Sequence, residues 1–388
     1  MIFFTGATIA FFLFAILTAK KKKNQSNWVL WVWLFVIGLH LTLYYFNYNG
    51  IDLEYPFLLG IMLPLPVAQG PLLFLYVTSL TKGLAIVEKK NAKNLFMIVV
   101  HVLPVLTLYL FLIPFFLMPS TDKLSYFKYV AKNPNLYSII QFYLTFFSGI
   151  FYIFWSFLLL KKHKKIVKQN FSYKQQVNLN WLNYLIYGMA VIWLSVLCVE
   201  FFMEGLLTNA QQSNVTFTTV SLFTLLLGYF GIRQTTIFLP SELSTQHMQK
   251  DIRSVHFRNQ YEKSGLRNDV AKEIKSTLLL LFESQEVYRD AELSLSHLSN
   301  ITQISPNHLS QVLNEHFKMS FYDFVNGYRL NEFIERIEEV KLKKTTILTL
   351  ALECGFNSKS SFNTIFKRKT GITPSEYINN KKPISLKK

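Results

Sequence analysis

The sequence predicts an all-α protein in two parts: a bundle of seven transmembrane helices, followed by a second domain built from short helices. Two observations lead to this prediction. The 388 residues are 51% hydrophobic, include 36 phenylalanines and carry a formal charge of +17, a composition too apolar and too basic for an ordinary soluble enzyme. Up to residue 232 the chain consists of long apolar runs between short polar loops, whereas residues 233–388 mix charged and apolar side chains.

The seven spans follow from length and composition. A helix needs about 20 mainly apolar residues to cross the hydrocarbon layer of a membrane. The stretches that meet this requirement are residues 1–19, 28–46, 57–80, 95–118, 136–160, 181–203 and 215–232. The last is the weakest because it contains four threonines. The first is expected to be a retained span rather than a secretory signal, because it lacks a basic leading segment and a small-residue cleavage site.

The cations between the spans predict the orientation of the bundle. Alternate loops contain 14 lysines, starting with the run Lys20–Lys23, whereas the intervening loops 47–56, 119–135 and 204–214 contain 3. Since cytoplasmic loops are the richer in lysine and arginine, the N-terminus is predicted to lie outside and the C-terminal domain in the cytoplasm. Seven spans fit this pattern, whereas six would place the C-terminal domain outside.

Prolines and ionisable residues within the spans bear on what the membrane part does. Pro71 and Pro104 are among the prolines that predict kinks, and kinks can create a cavity or a hinge. The clear ionisable groups are His40, His101 and Glu200, few for a transporter or a membrane enzyme, in which such groups converge inside the bundle. A transporter or membrane enzyme with an appended regulatory domain therefore remains the alternative function.

The C-terminal half is predicted to be a linker and a helical domain. Residues 233–265 are polar and contain Pro240, which is typical of a linker. In residues 266–388 apolar side chains recur at the 3.6-residue spacing of helices, without the alternation of strands. One arrangement, a short helix followed by a turn and another helix, occurs twice, and residues 320–339 between the copies are long enough for a spacer helix of about 30 Å. The domain is thus predicted to contain two helix-turn-helix units.

Local residues mark where these units begin and end. Their predicted helices are residues 293–301 and 306–317 in the first unit, and 346–356 and 358–369 in the second. Ser305 precedes Pro306, a favourable cap for the second helix of the first unit. Gly355 lies at the turn of the second unit, and Gly371 follows its last helix.

The second helix of each unit combines an apolar stripe with a polar face. The residues predicted to point inward are Leu309, Val312, Leu313 and Phe317 in the first, and Phe362, Ile365 and Phe366 in the second. The polar faces present amides, hydroxyls and cations, which are the groups that contact base edges and phosphates. A polar helix face is usually only solvated, but two copies on one spacer favour binding to DNA.

No residues for catalysis or for a metal or organic cofactor are predicted. Cys198 and Cys354 are too few for a zinc site and too far apart in the sequence for a plausible disulfide. A sensor histidine kinase is excluded because the soluble half has no glycine-rich nucleotide-binding motif. His163 and His247 are expected on the surface.

Three segments resemble the DNA-binding domain of AraC/XylS-type transcriptional regulators. They are LSLSHLSNITQISPNHLSQVLNEHF, FYDFVNGYRL and ALECGFNSKSSFNTIFKRKTGITPSEYI, and the resemblance covers roughly residues 285–380. It implies two helix-turn-helix units on a central helix that bind double-stranded DNA, with RNA polymerase as a further partner. The sequence departs from the family at Lys318, where many members have glycine; a left-handed conformation there would cost about 1 kcal/mol.

The resemblance also assigns roles to individual residues. Those expected to face bases are Asn307, Ser310 and Gln311 in the first unit and Lys359, Ser360, Asn363 and Thr364 in the second. The residues expected to hold phosphates, a role that does not come from the resemblance, are Asn314, Lys367, Arg368 and Lys369. Lys367 and Arg368 are expected to do so because they lie near the C-terminal end of their helix.

A multi-span membrane domain fused to an AraC-type module resembles a known bacterial layout. It implies a regulator in the inner membrane that converts an envelope or extracellular signal into transcription, with membrane lipid and an unidentified signal ligand as partners and a homodimer left open.

Overall fold

The computed structural model describes residues 1–19, 25–82, 92–133, 136–173, 179–203, 206–233, 266–342 and 344–379. Regular structure within these ranges is helical, apart from one isolated antiparallel bridge between Phe171 and Ser294. The all-α prediction is confirmed for this part of the chain. The predicted linker, residues 233–265, and His247 within it lie almost entirely outside the described residues.

The chain divides into two compact units. The first contains Met1–Lys161 and Leu179–Glu242, and the second contains Lys162–Asn178 and Leu243–Lys388. The sequence predicts a single boundary near residue 233. In this division residues 162–178, which follow the fifth predicted span, group with the C-terminal residues instead of with the other apolar helices. The boundary near residue 233 stays a prediction.

The first unit is built mainly from long apolar helices. Its helices are α1 (Ile2–Thr18), α2 (Gln25–Tyr48), α3 (Ile51–Glu54), α4 (Leu65–Lys82), α5 (Ala92–Phe111), α6 (Ile113–Phe116), α7 (Ser120–Lys132), α8 (Leu136–Asn170, which extends into the second unit), α9 (Trp181–Phe202) and α10 (Asn209–Arg233). Its apolar core includes Trp33, which is fully buried. Within it Tyr44 stacks on Phe217, with the ring centroids 3.6 Å apart.

Three of the described helices are long and apolar enough to cross a membrane by length and composition alone. They are Trp28–Tyr48 within α2, and α8 and α9. Shorter apolar helices over Ile2–Thr18, Leu65–Thr81 and Val99–Phe111 overlap three further predicted spans. The complete set of seven spans therefore remains a prediction.

Two predicted spans are interrupted in the structure. In the stretch 57–80, Pro56–Leu58 forms a 3-10 turn, Gly60 adopts a φ of 86°, and α4 begins only at Leu65. The stretch 95–118 is divided at Leu112 into α5 and α6. Pro66 and Pro114 lie in the first turns of α4 and α6, where a helix does not need the amide hydrogen that proline lacks. Pro71 and Pro104, by contrast, lie inside α4 and α5.

The second unit contains the two helix-turn-helix units. Its helices are α11 (Asn268–Ser284), α12 (Leu295–Thr302), α13 (Pro306–Glu315), α14 (Phe321–Glu335), α15 (Ile337–Lys341), α16 (Ile347–Glu353), α17 (Lys359–Thr370) and α18 (Pro374–Asn379). The spacer helix α14 contributes to two apolar cores. Phe321 and Val325 join the core around the first helix-turn-helix unit, whereas Leu330 and Phe333 join the core around the second. A single helix thus fixes both units.

The last turns of α8 also belong to this second unit. His163, which the sequence places on the surface, is 2% exposed. It lies on a buried stripe with Ile166, Val167, Asn170 and Phe171, at the spacing of one helix face. The lysines around it, which led to the surface prediction, occupy the other face.

Candidate DNA-binding surface

The second helix of each helix-turn-helix unit begins at a capped end. Ser305 Oγ accepts a hydrogen bond from the backbone N–H of His308 at 3.2 Å, which confirms the predicted cap of α13. Ser358 Oγ accepts from the N–H of Ser361 at 3.2 Å and caps α17. Such caps contribute about 1 kcal/mol each, and they fix the residue at which each helix starts.

The turns require unusual backbone conformations. Gly355 has a φ of 89°, so the predicted glycine turn of the second unit is confirmed. In the first unit Gln303 takes the equivalent left-handed position, with a φ of 57°. Lys318, after α13, also has a φ of 55° and so adopts the left-handed conformation in which a side chain is strained.

The predicted apolar stripes of α13 and α17 face the cores. The residues that are at most 1% exposed are Leu309, Val312, Leu313, Phe362, Ile365 and Phe366. Phe317, the last residue of the first stripe, is half-buried against the first core. Burial of these stripes turns the opposite faces of both helices outward.

On α13 the polar face is partly engaged by its own neighbours. Asn307, Ser310 and Gln311 are half-buried, and Asn314 is exposed. Gln311 Nε2 donates to both carboxylate oxygens of Glu315 at 3.2 Å. Asn314 Nδ2 donates to the carbonyl oxygen of Ser310 at 2.7 Å. DNA would have to compete with these contacts for the two amides.

Glu315 was missed by reasoning from the sequence. It follows Gln311 by four residues, and residues four apart on a helix are neighbours, so the spacing could have revealed the contact. A carboxylate at this position places a negative charge beside the amide expected to read a base.

On α17 the polar face is more open. Lys359, Ser360, Asn363 and Thr364 are all exposed, and the Thr364 hydroxyl donates to the carbonyl oxygen of Ser360 at 2.8 Å. No acidic residue occurs in α17. This face can offer an amide and hydroxyls to base edges without first releasing a carboxylate.

The cations at the end of α17 differ from one another. Lys367 is exposed and Lys369 is half-buried. The Arg368 guanidinium lies 3.1 Å from Asp323 Oδ1, and its centre lies 5.5 Å from the centroid of the Tyr322 ring. Arg368, predicted to hold a phosphate, is therefore already paired with a carboxylate of the spacer helix.

Asp323 is a second residue that sequence reasoning missed. It follows Ser320 by three residues at the start of α14, a capping arrangement in which Ser320 Oγ accepts from the Asp323 N–H and donates to Asp323 Oδ2. Burial by itself would raise the pKa of Asp323. Hydrogen bonds from Lys168 and Ser320, together with the charges of Lys168 and Arg368, outweigh burial and hold the pKa below its ordinary value. The carboxylate is thus ionised at neutral pH.

Groups that could do other chemistry are sparse in this unit. Burial raises the pKa of the Cys354 thiol to about 12, so the thiol stays protonated and unreactive at neutral pH. Among the described residues, no group of three or more histidine, cysteine, aspartate or glutamate side chains could hold a metal ion.

Comparison with known proteins agrees with this geometry. Residues 298–380 match the family model described as a helix-turn-helix domain. Over 96 residues the chain is 38% identical to uncharacterized HTH-type transcriptional regulators of Staphylococcus aureus strains COL and MSSA476, which covers 24% of this chain and 12% of each relative. Over 85 residues it is 31% identical to the uncharacterized HTH-type transcriptional regulator YpdC of Escherichia coli (strain K12), which covers 22% of this chain and 29% of YpdC.

The chain thus spans about an eighth of the length of the staphylococcal relatives that it matches. No solved structure matches it. The match over residues 298–380 includes both second helices, α13 and α17, and the spacer α14 between them. Residues 298–380 are therefore a helix-turn-helix domain, and they are similar to part of proteins that are named HTH-type transcriptional regulators.

Proposed function

We propose that this chain is a membrane-integrated, sequence-specific transcriptional regulator that couples an envelope or extracellular signal to transcription. The observation that carries the proposal is the pair of capped helices, α13 and α17, whose apolar stripes are buried around one spacer helix and whose polar faces point outward. The proposed partners are double-stranded DNA, RNA polymerase, membrane lipid and a signal ligand, with a second copy of the chain left open.

The DNA-binding part of the proposal is tested with the full chain in lipid nanodiscs. Genome-wide mapping of bound DNA gives the preferred site, and binding isotherms at several salt concentrations compare that site with a scrambled duplex. Two helices on one spacer should enter successive major grooves about 34 Å apart, so the site should span about two helical turns. Equal affinity for both duplexes at every salt concentration would contradict sequence-specific binding.

Membrane integration is supported by the apolar helices of the first unit. Three have the length and composition to cross a membrane, and many large side chains on α8 and α9 are exposed, among them Phe147, Phe154 and Leu194. Such a surface is unfavourable in water and favourable against lipid. The cation asymmetry of the loops supports an orientation in which the C-terminal domain lies in the cytoplasm, where DNA is.

Signal sensing is supported by a cavity within the first unit. Its volume is about 570 Å³, in the range of cavities that bind small molecules. The lining includes apolar side chains from α2, α9 and α10, together with His40, Gln69, Thr145, Glu200 and Gln212. An apolar wall with a few polar groups fits a small amphipathic molecule whose polar end forms hydrogen bonds.

Two polar atoms of this lining lack partners among the described residues. Thr145 Oγ1 and Trp193 Nε1 are buried and make no hydrogen bond there. A buried polar atom without a partner is costly, and a ligand with a hydrogen-bond acceptor for the indole N–H would remove part of that cost. The proposed signal ligand therefore carries at least one acceptor.

Two neighbouring residues of α10 test the role of the cavity. Thr216 lines it, whereas Val215 is 41% exposed. Thr216→Phe should fill part of the cavity and fix transcription of the mapped target genes in one state, whatever the growth condition. Val215→Phe adds the same ring outside the cavity and should leave the response intact. If both variants responded like the parent, the cavity would not be the sensing site.

A further inference from the structure

Helix α8 contributes residues to both compact units. It is continuous from Leu136 to Asn170, and from Lys162 onward its residues belong to the second unit. The three residues after it, Phe171, Ser172 and Tyr173, are buried. We call residues 162–173 the docking segment.

The end of the docking segment is bonded into the domain by its backbone and by one hydroxyl. The N–H of Ser172 donates to the carbonyl oxygen of Leu293 at 3.3 Å, and its hydroxyl donates to the same oxygen at 2.6 Å. Asn326 Nδ2 donates to the carbonyl oxygen of Ser172 at 2.8 Å. These contacts join the segment both to the start of the first helix-turn-helix unit and to the spacer α14.

Arg329 completes this contact. It is 1% exposed, and its Nη2 donates to Ser172 Oγ at 3.2 Å and to the carbonyl oxygen of Asp290 at 2.6 Å. Its Nε donates to the carbonyl oxygen of Tyr288 at 2.7 Å. A buried guanidinium needs its donors satisfied, so a hydroxyl from the docking segment supplies one acceptor that the domain itself does not.

A second contact connects the docking segment with the DNA-binding surface. Lys168 Nζ lies 2.7 Å from Asp323 Oδ2, and Arg368 of α17 lies 3.1 Å from the other oxygen, Oδ1. One carboxylate therefore faces two cations. Arg368 stays 43% exposed in this arrangement, which leaves it accessible to a phosphate.

We propose that the docking segment regulates DNA affinity by competing with Arg368 for Asp323. This proposal rests on the DNA-binding function proposed above. When the segment is docked, Lys168 neutralises part of the negative charge of Asp323, so the attraction between this carboxylate and Arg368 is weaker. When the segment is released, Asp323 pairs with Arg368 alone and opposes its contact with phosphate. Docking therefore favours the DNA-binding state, and a movement of α8 is the way in which the membrane part changes promoter occupancy.

The contact itself is tested by a carbodiimide, which joins an amine and a carboxylate only when they touch. Membrane vesicles that contain the full chain are treated and digested, and the peptides are analysed by mass spectrometry. We expect an amide bond between Lys168 and Asp323. Lys165, exposed one turn earlier on the same helix, serves as the internal control and should not become joined to Asp323. Absence of the Lys168–Asp323 product in the wild-type chain would overturn the proposal.

The regulatory effect is tested with matched charge changes in the full chain in nanodiscs. Lys168→Gln and Lys165→Gln remove the same charge from the same helix, but only the first removes a contact with the domain. Lys168→Gln should weaken binding to the mapped site about two- to five-fold more than Lys165→Gln, as expected for one partly exposed ion pair. Equal effects of the two substitutions would overturn the proposal.

Asp323→Asn is the second test, because asparagine has the same size and keeps the backbone N–H that donates to the capping Ser320, while removing the charge. It should raise DNA affinity, and in its presence Lys168→Gln and Lys165→Gln should become equivalent. A difference that persisted in the Asp323→Asn background would show that Lys168 acts by another route and would contradict the competition.

Failure of this inference can be told from failure of the proposed function. The carbodiimide experiment contains no DNA, so it tests docking even if the chain bound no specific site. Conversely, the wild-type chain could bind its site specifically while the two lysine substitutions had equal effects. That result would support the proposed DNA-binding function and contradict regulation by the docking segment.

Discussion

Gly355 is a residue whose replacement the structure makes costly for two separate reasons. Its φ of 89° is unfavourable for any other residue, and an added Cβ would lie 2.5 Å from the carbonyl oxygen of Tyr288. Gly355→Ala should therefore destabilise the domain by about 2–4 kcal/mol. Hydrogen–deuterium exchange of α14 and α16 in the full chain measures the change in opening free energy.

Two other glycines provide the controls. Gly371 has a φ of 88° but no atom within 4 Å of an added Cβ. Gly371→Ala should therefore lower the free energy of unfolding only through the unfavourable φ, by about 1 kcal/mol. Gly327 lies within α14 with open space around it, and Gly327→Ala should be neutral or stabilising by up to about 1 kcal/mol. If all three substitutions had equal effects, close approach at Gly355 would not matter.

Lys318 offers the opposite change. Its φ of 55° is strained for a lysine and favourable for a glycine. Glycine has no Cβ, so its substitution here would remove the steric cost of the left-handed conformation. Lys318→Gly should stabilise the domain by about 0.5–1 kcal/mol, seen as slower exchange in α13 and α14. Lys318→Ala, which keeps a Cβ, should give no such gain. A destabilised glycine variant would mean that the lysine side chain itself contributes to the fold.

At the scale of elements, α17 allows base reading to be separated from phosphate binding. Asn363 is exposed on the open polar face, and Asn363→Ala should cost about 1–3 kcal/mol at the preferred site while leaving the salt dependence nearly unchanged. Lys367→Gln should weaken binding to all sequences alike and lower the salt slope by about one unit. The measurement is a set of isotherms on specific and scrambled duplexes at several salt concentrations. Identical behaviour of the two variants would refute this division of roles.

The helices of the C-terminal domain could be predicted well because their signals are local. Ser305, Gly355 and Gly371 mark helix ends through their own backbone and side-chain chemistry, and the apolar stripes follow the helical period. The contact of Lys168 with Asp323 could not be predicted, because the two residues are far apart in the sequence and no local rule pairs them. The roles in DNA contact assigned to single residues remain predictions.

The apolar helices were predicted less completely. A count of apolar residues estimates the free energy of transfer into lipid. It does not show at which residues the backbone can form a continuous helix. Residues 57–80 are apolar enough for a span, yet the helix there begins at Leu65, after the prolines and the left-handed Gly60. The loop 119–135 contains α7, an amphipathic helix that a search for apolar runs does not reveal.

At the scale of the whole molecule, the cation asymmetry of the loops predicts a topology that reporter fusions can test. Fusions expected to report the cytoplasm are those after Lys23, Lys93, Lys165 and Ile252. Fusions expected to report the outside are those after Asn49, Lys128 and Asn209. The physical reason is the retention of lysine-rich loops on the cytoplasmic side. An outside signal at Ile252 would contradict the regulator, because the domain would be separated from DNA.

The docking segment also changes what cutting the chain would do. Residues 162–173 belong to the same compact unit as the helix-turn-helix domain, although they precede it by about a hundred residues in the sequence. While the chain is intact, the segment and the domain meet at the high effective concentration of two sites on one molecule. A protease that cleaved between residues 233 and 265 would turn this meeting into a bimolecular one. Among the described residues the contacts that would hold it include the hydrogen bonds of Ser172 and the ion pair of Lys168 with Asp323. The freed domain would then lack the hydroxyl of Ser172, which accepts a hydrogen bond from the buried Arg329. Proteolysis would therefore release a domain whose buried contacts differ from those of the tethered domain.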